Sequence, residues 1–169
     1  QTIKNNNDEE SLIGATIEDQ LYAYPLSSDN GYYLYYDKSV VKDPSSLEKI
    51  IADCQAKGKK IGYAVENAWI MASFFFAQPV GGGDPICNSV WEYENGNPVA
   101  HKDTFNSKNG LIAMKAMSAM TTSGAWVGSD NDFSGTAALV TGIWNVNAAM
   151  NAYGDNLAVA KLPTFTVDG

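Results

Sequence analysis

Apolar and polar positions along this chain follow two different periods. Residues 32–36 (YYLYY), 61–65 (IGYAV), 137–140 (AALV) and 157–160 (LAVA) are short apolar runs bounded by turn residues, the pattern of buried or half-buried strands. Residues 21–24 (LYAY) read as a further strand stopped by Pro25, followed by a turn at SSDNG. Between the strands the period lengthens. Leu47, Ile50, Ile51 and Cys54 fall at i, i+3, i+4 and i+7, which predicts a helix with one apolar face and Cys54 turned inward. Asp43-Pro44 precede that helix, Ser45 with Glu48 fits a capping box, and Gly58 lies just past its end. Residues 68–78 (AWIMASFFFAQ) are apolar nearly all round and predict a buried helix. Residues 107–122 read as a longer helix with Leu111, Met114, Met117 and Thr121 on its inner face. Residues 89–93 and 98–101 flank Glu94-Asn95-Gly96-Asn97, a β-hairpin signal through Asn-Gly. From Gly135 to Phe165 the order is strand, aromatic-bearing turn, short helix, strand. Strands alternating with helices, with no internal repeat, predict an α/β layered domain.

Bulk properties narrow the possibilities. At 169 residues the chain is one domain by length, and 45% hydrophobic residues exclude a disordered or fibrous protein. A net charge of -8 and a pI near 4.4 argue against nucleic acid or an anionic membrane surface as partner. No apolar run approaches the length of a membrane span. The chain opens on a polar, Asn-rich stretch (QTIKNNNDEES) without the features of a signal peptide and without Met, so a processed or excised segment is expected. Cys54 and Cys87 lack metal-type spacing, and with one histidine, His101, a zinc site is not expected. A disulfide between them and two buried thiols both stand open.

Several motifs dissolve on inspection. Asp130-Asn131-Asp132-Phe133-Ser134-Gly135 begins like a calcium loop, but Thr141 stands where an EF-hand needs a bidentate Glu. Gly81-Gly82-Gly83-Asp84-Pro85 lacks the Lys-Ser/Thr and following helix of a phosphate cradle. His101 has no Ser/Asp or Cys/Asp context. Asp29 and Glu66 follow strand-like runs, where α/β domains place ligand groups. Trp69, Trp126 and Trp144 each adjoin a turn, and aromatics at loop rims with carboxylates nearby suit a carbohydrate. A glycoside hydrolase using Glu66 with Asp29 or Asp132, and a non-catalytic adhesion module with the tryptophans in its core, are the competing readings.

Four pieces of the chain, in order, resemble the second lobe of extracellular solute-binding proteins of the maltose-binding type, which feed ABC importers. LYAYPLSSDNGYYLYYDKSVV is similar to the family's strand with its "YP" turn, and DPSSLEKIIADCQAKGKKIG to its "KAKGK" helix. GDPICNSVWEYENG is similar to the hairpin that follows the buried helix. FSGTAALVTGIWNV…NLAVAKLPTF resembles the "GPW…LPTF" signature, the most specific of the four, over a total span of roughly residues 18–166. The resemblance implies a single three-layer αβα lobe of the periplasmic-binding-protein type II fold at 18–169, with 1–17 a polar lead-in left from the first lobe or hinge. Intact family members carry two lobes, so the chain is expected to be one of them.

The resemblance also implies roles. Trp144 falls on the family's sugar-stacking tryptophan, with Ile143 in place of the usual proline. Trp126 falls on another ligand-contacting aromatic, Glu66 on a ligand carboxylate and Trp69 on the aromatic after it. Asp29 or Asn30 falls on the polar contact beside the hinge. Partners implied are a maltodextrin-like oligosaccharide or other small solute and, through the parent, ABC membrane subunits. No catalysis, cofactor or metal is implied. The setting implied is extracellular, as a surface lipoprotein or periplasmic protein.

Overall fold

The protein is described here by a computed structural model covering residues 2–25 and 30–167. Its chain divides into two compact units, Gln1–Tyr32 and Tyr33–Gly169. The first unit holds α1 (Thr2–Asn5), α2 (Glu9–Ile13) and a small hairpin of β1 (Thr16–Ile17) and β2 (Gln20–Leu21). Asp8 caps α2, its carboxylate accepting from the Ser11 N–H at 2.9 Å. Glu18 and Asp19 turn the hairpin with φ of 48° and 62°, the left-handed pair a tight two-residue loop requires. The lead-in therefore has elements of its own. The strand expected at 21–24 shrinks to Gln20–Leu21, because the short antiparallel partner ends at Thr16; Tyr22 adds one bond to the Ala15 carbonyl, and Tyr22 and Tyr24 are exposed. Most of the SSDNG turn lies outside the described residues.

The second unit is built on a five-stranded sheet. Its strands are β3 (Tyr32–Asp37), β4 (Lys60–Gly62), β7 (Trp126–Val127), β8 (Thr136–Gly142) and β9 (Leu157–Ala160), in the order β7-β4-β8-β3-β9. β4 runs parallel to both β7 and β8, while β3 and β9 are antiparallel. All seven residues of β8 are buried, so this central strand is covered on both faces. Helix α6 (Val146–Tyr153) covers one face, where Tyr35 packs with Ala149, Tyr153, Phe133 and Leu157. Leu34, adjacent to Tyr35, points to the opposite face and is fully buried. Helices α3 (Leu47–Ala56) and α5 (Lys108–Thr121) lie side by side, sharing an apolar cavity lined by Leu47, Ile51, Met120 and Phe165. The result is the three-layer αβα lobe expected.

Helix details depart from the sequence pattern in instructive ways. The cap of α3 is Ser46, not Ser45: the Ser46 hydroxyl accepts from Lys49 N–H at 3.4 Å. Ser45 is taken by the C-terminal segment, its carbonyl accepting from Thr164 N–H at 3.0 Å. Glu48 does not close a capping box, because its carboxylate accepts from Thr166 N–H at 2.7 Å. On α5 the buried face is Gly110, Ala113, Ala116, Met117 and Met120, whereas Leu111 and Met114 are exposed. Small residues were weak signals in the hydrophobic pattern, yet they let the helix seat closely; a Cβ at Gly110 would overlap the Phe105 carbonyl. Helix α4 (Ala68–Phe75) ends before the expected Gln78 and is not buried all round: Ile70 and Phe74 face the core, while Trp69 and the C-cap residue Phe76 are exposed.

The hairpin of β5 (Ser89–Glu94) and β6 (Asn97–Asp103) forms as expected, turning through Asn95 and Gly96 at φ of 51° and 80°. Nearly all of it is exposed. His101 is absorbed into its face, 4.7 Å from the Trp91 ring and 2.8 Å from the Ser89 hydroxyl. Among the described residues no helix is long and apolar enough to cross a membrane.

Cys54 and Cys87 are free and fully buried, so the disulfide left open on the sequence is not formed. Each thiol sits in its own packed position, Cys54 on the inner face of α3 and Cys87 anchored by its N–H to the Phe75 carbonyl. Burial, reinforced by the charge of Asp53, pushes the Cys54 thiol from its ordinary 9.0 up to about 11. Burial likewise pushes Tyr153 from 10.0 up to about 12. For both groups the folded value lies above the unfolded one, so the stability they contribute is intact below about pH 9. It falls as the pH rises through 9 to 12, because the unfolded chain releases those protons first. Urea midpoints should therefore drop steeply above pH 9, and a thiol reagent at neutral pH should label neither cysteine until the protein is unfolded. Rapid labelling of the folded protein would contradict this.

Candidate functional site

Because β4, β7 and β8 are parallel, their C-terminal ends open on one edge of the sheet, the edge where α/β layers collect ligand groups. Glu66 follows β4 in an exposed turn, and Trp69 stands in the first turn of α4 just beyond it. Asn67 caps α4, its side-chain oxygen accepting from the Trp69 N–H at 3.1 Å. Trp144 follows β8 within a 3-10 turn (Ile143–Asn145). Ile143, which replaces the proline of the resembling signature, opens that turn, a first-turn position that tolerates proline or an ordinary residue alike.

The structure brings Glu66, Trp69 and Trp144 to this one rim. Trp69 and Trp144 are stacked, with ring centroids 5.7 Å apart and planes inclined by 28°. Both stay accessible, at 44% and 50% exposure, as does Trp91 out on the β5–β6 hairpin. The Glu66 carboxylate lies against the Gly128 backbone at the end of β7; its oxygens are 2.8 and 3.0 Å from where a side chain at Gly128 would begin. Asn145 ties the rim together, donating to the Thr141 hydroxyl at 2.8 Å and to the Asp130 carbonyl at 3.0 Å.

Trp126 is positioned differently. It lies half-buried on the edge strand β7, with its indole N–H donated to the Tyr63 carbonyl at 2.8 Å. Its polar atom is thus committed to the fold. Asn30 is exposed and belongs to the first unit, and Asp29 lies outside the described residues. Asp132 accepts from the Ser134 N–H at 2.8 Å, and that bond holds its carboxyl below the usual range. A general acid needs the opposite shift, so in the hydrolase reading Asp132 fits the ionised carboxylate and not the acid. Among the described residues no three His, Cys, Asp or Glu groups converge on a metal-sized site.

The sequence missed Gly142, Gly128 and Asn145. Each supports the rim without touching the patterns that reveal ligand groups: two have no side chain, and the third is a lone amide in the aromatic-bearing turn Ile143–Asn145. The Gly142-Ile143-Trp144 triplet carried the only signal, a glycine directly before the exposed aromatic turn.

A family model of bacterial extracellular solute-binding proteins matches residues 1–169. No curated protein matches the chain. Among solved structures, the maltodextrin-binding protein of L. casei BL23 without ligand is 23% identical with a TM-score of 0.68, the match covering 99% of this chain. An extracellular solute-binding protein from Staphylococcus aureus in complex with maltose is 18% identical, TM-score 0.60, over 93% of the chain. The GacH receptor of Streptomyces glaucescens GLA.O, solved unliganded and with acarbose, is 15% identical, TM-score 0.65, over 96%. The chain spans 43% of the length of the first two and 44% of the third. At these identities the likeness is one of fold.

Proposed function

Because the chain belongs to the bacterial extracellular solute-binding protein family, we propose that its Trp69–Trp144 rim is one jaw of an extracellular oligosaccharide-binding site. The observation that supports this reading is the pair of half-exposed indoles beside an exposed carboxylate at the strand ends. Pyranose rings have flat apolar faces that stack on indole, while Glu66 accepts hydrogen bonds from their hydroxyls. The solute is a linear maltodextrin-type sugar. In the full-length protein it lies between two lobes that close by a hinge motion, and the closed form delivers it to an ABC importer's membrane subunits. No bond is made or broken. The setting is the outer face of the membrane, as a lipoprotein or periplasmic protein.

With one jaw only, the 169-residue chain should bind weakly. Calorimetric titration with maltotriose is expected to give a dissociation constant of about 1 mM or weaker, roughly 4 kcal/mol, with the sugar recovered intact. A micromolar constant would contradict the one-jaw reading, and release of glucose that is lost in Glu66→Gln would replace transport with hydrolysis.

A further inference from the structure

Trp144 has contacts on two sides. Trp69 stacks against it at 5.7 Å, joining the first turn of α4 to the turn after β8. That separation leaves no room for a sugar ring between the two indoles. The other contact is with Gly142: a Cβ there would overlap the benzo ring of Trp144. Gly142 has φ of -92° and ψ of -178°, extended backbone open to any residue, so the indole and not the backbone requires glycine. The seat itself is fixed. Gly142 is the last residue of fully buried β8, its carbonyl accepts from the buried Tyr35 hydroxyl at 3.4 Å, and Asn145 clasps Thr141 beside it.

We infer that Gly142 and Trp69 are positioning residues that set Trp144 in place before any ligand arrives, Gly142 as its seat and Trp69 as its buttress. The two indoles act as one wall, and a sugar ring docks on its exposed surface instead of entering between them. Naming the wall a ligand platform rests on the function proposed above. An aromatic side chain already held in its bound rotamer loses less entropy on binding, worth about twofold to tenfold in affinity.

Stacked indoles couple their transitions and give a paired positive and negative band in far-ultraviolet circular dichroism, which reads the stack directly, while saccharide affinity separates a positioning role from a purely structural one. The parent chain should show this couplet. Trp69→Ala and Trp144→Ala should each abolish it, and both positions are exposed enough for the variants to fold. Gly142→Ala should reshape it, since one methyl displaces the indole. Maltotriose should leave the couplet standing. Affinity should fall about threefold to tenfold in Trp69→Ala and in Gly142→Ala, and stay within about twofold in Trp69→Phe, which keeps a stacking ring.

An absent couplet, a couplet unchanged in Gly142→Ala, or one erased by saturating sugar would overturn the inference. If Gly142→Ala fails to fold, the Trp69→Ala and Trp69→Phe pair decides it. If the couplet responds to the variants as expected but no saccharide binds, the wall stands and the sugar reading falls.

Discussion

Replacing Trp144 with alanine should all but remove sugar binding while the protein stays folded. The indole is half exposed in a turn after β8, so its loss leaves no closed cavity and should change stability by no more than about 1 kcal/mol. Its exposed surface is where a sugar ring would gain most of its apolar contact. Losing that stack should cost about 2–3 kcal/mol of binding, a weakening of roughly thirtyfold to more than a hundredfold. Trp126→Ala makes the opposite case. That indole is half-buried on β7 and donates its N–H to the Tyr63 carbonyl, so truncation should cost about 3 kcal/mol of stability and leave the Tyr63 carbonyl without its partner. Urea denaturation and titration on both variants separate the roles. If Trp144→Ala unfolds like Trp126→Ala, the adhesion-module reading, with tryptophans as core, takes over.

The largest stability effect should come from the contact between β4 and β8. Leu139 is fully buried in the central strand, and its Cδ1 lies 2.8 Å from where a side chain at Gly62 would begin. Leu139→Ala should cost about 2–5 kcal/mol through the lost side chain and the cavity it leaves. Gly62→Ala should cost about 1–3 kcal/mol by overpacking against the same leucine. Combining them lets the new methyl enter the vacated space, so the double variant should be about 1 kcal/mol or more better than the sum of the two. Relief stays partial because the Ser129 carbonyl, 3.2 Å from the same point, is backbone and cannot withdraw. Strict additivity would mean that the two positions do not share a packing site.

What could be read from the sequence follows from how each element is stabilised. β8 carries the apolar run 137–140 because it is buried on both faces, and the Asn95-Gly96 hairpin is written in turn chemistry that acts locally. Of the inner face expected for α5 Met117 is buried, whereas Gly110, Ala113 and Ala116 carry too little hydrophobic weight to stand out and the larger Leu111 and Met114 face outward. The cap of α3 moved to Ser46 because residues at the far end of the chain, Thr164 and Thr166, claim Ser45 and Glu48. No local pattern reports a competitor so distant. The site divides the same way. Trp144 and Glu66 could be placed after strands from their neighbours alone, but the Trp69–Trp144 stack arises only when β4 and β8 pair.

The most direct test is an amide and indole NMR titration of this chain with maltotriose, which detects millimolar binding residue by residue. Four indole N–H signals are available, from Trp69, Trp91, Trp126 and Trp144. The expected result is saturable movement of the Trp144 and Trp69 signals, with Glu66 and Gly128 backbone amides following and Trp91, out on the β5–β6 hairpin, unmoved. Shifts confined to Trp91, or no shift at any of the four up to the solubility of the sugar, would contradict a saccharide site at the strand-end rim.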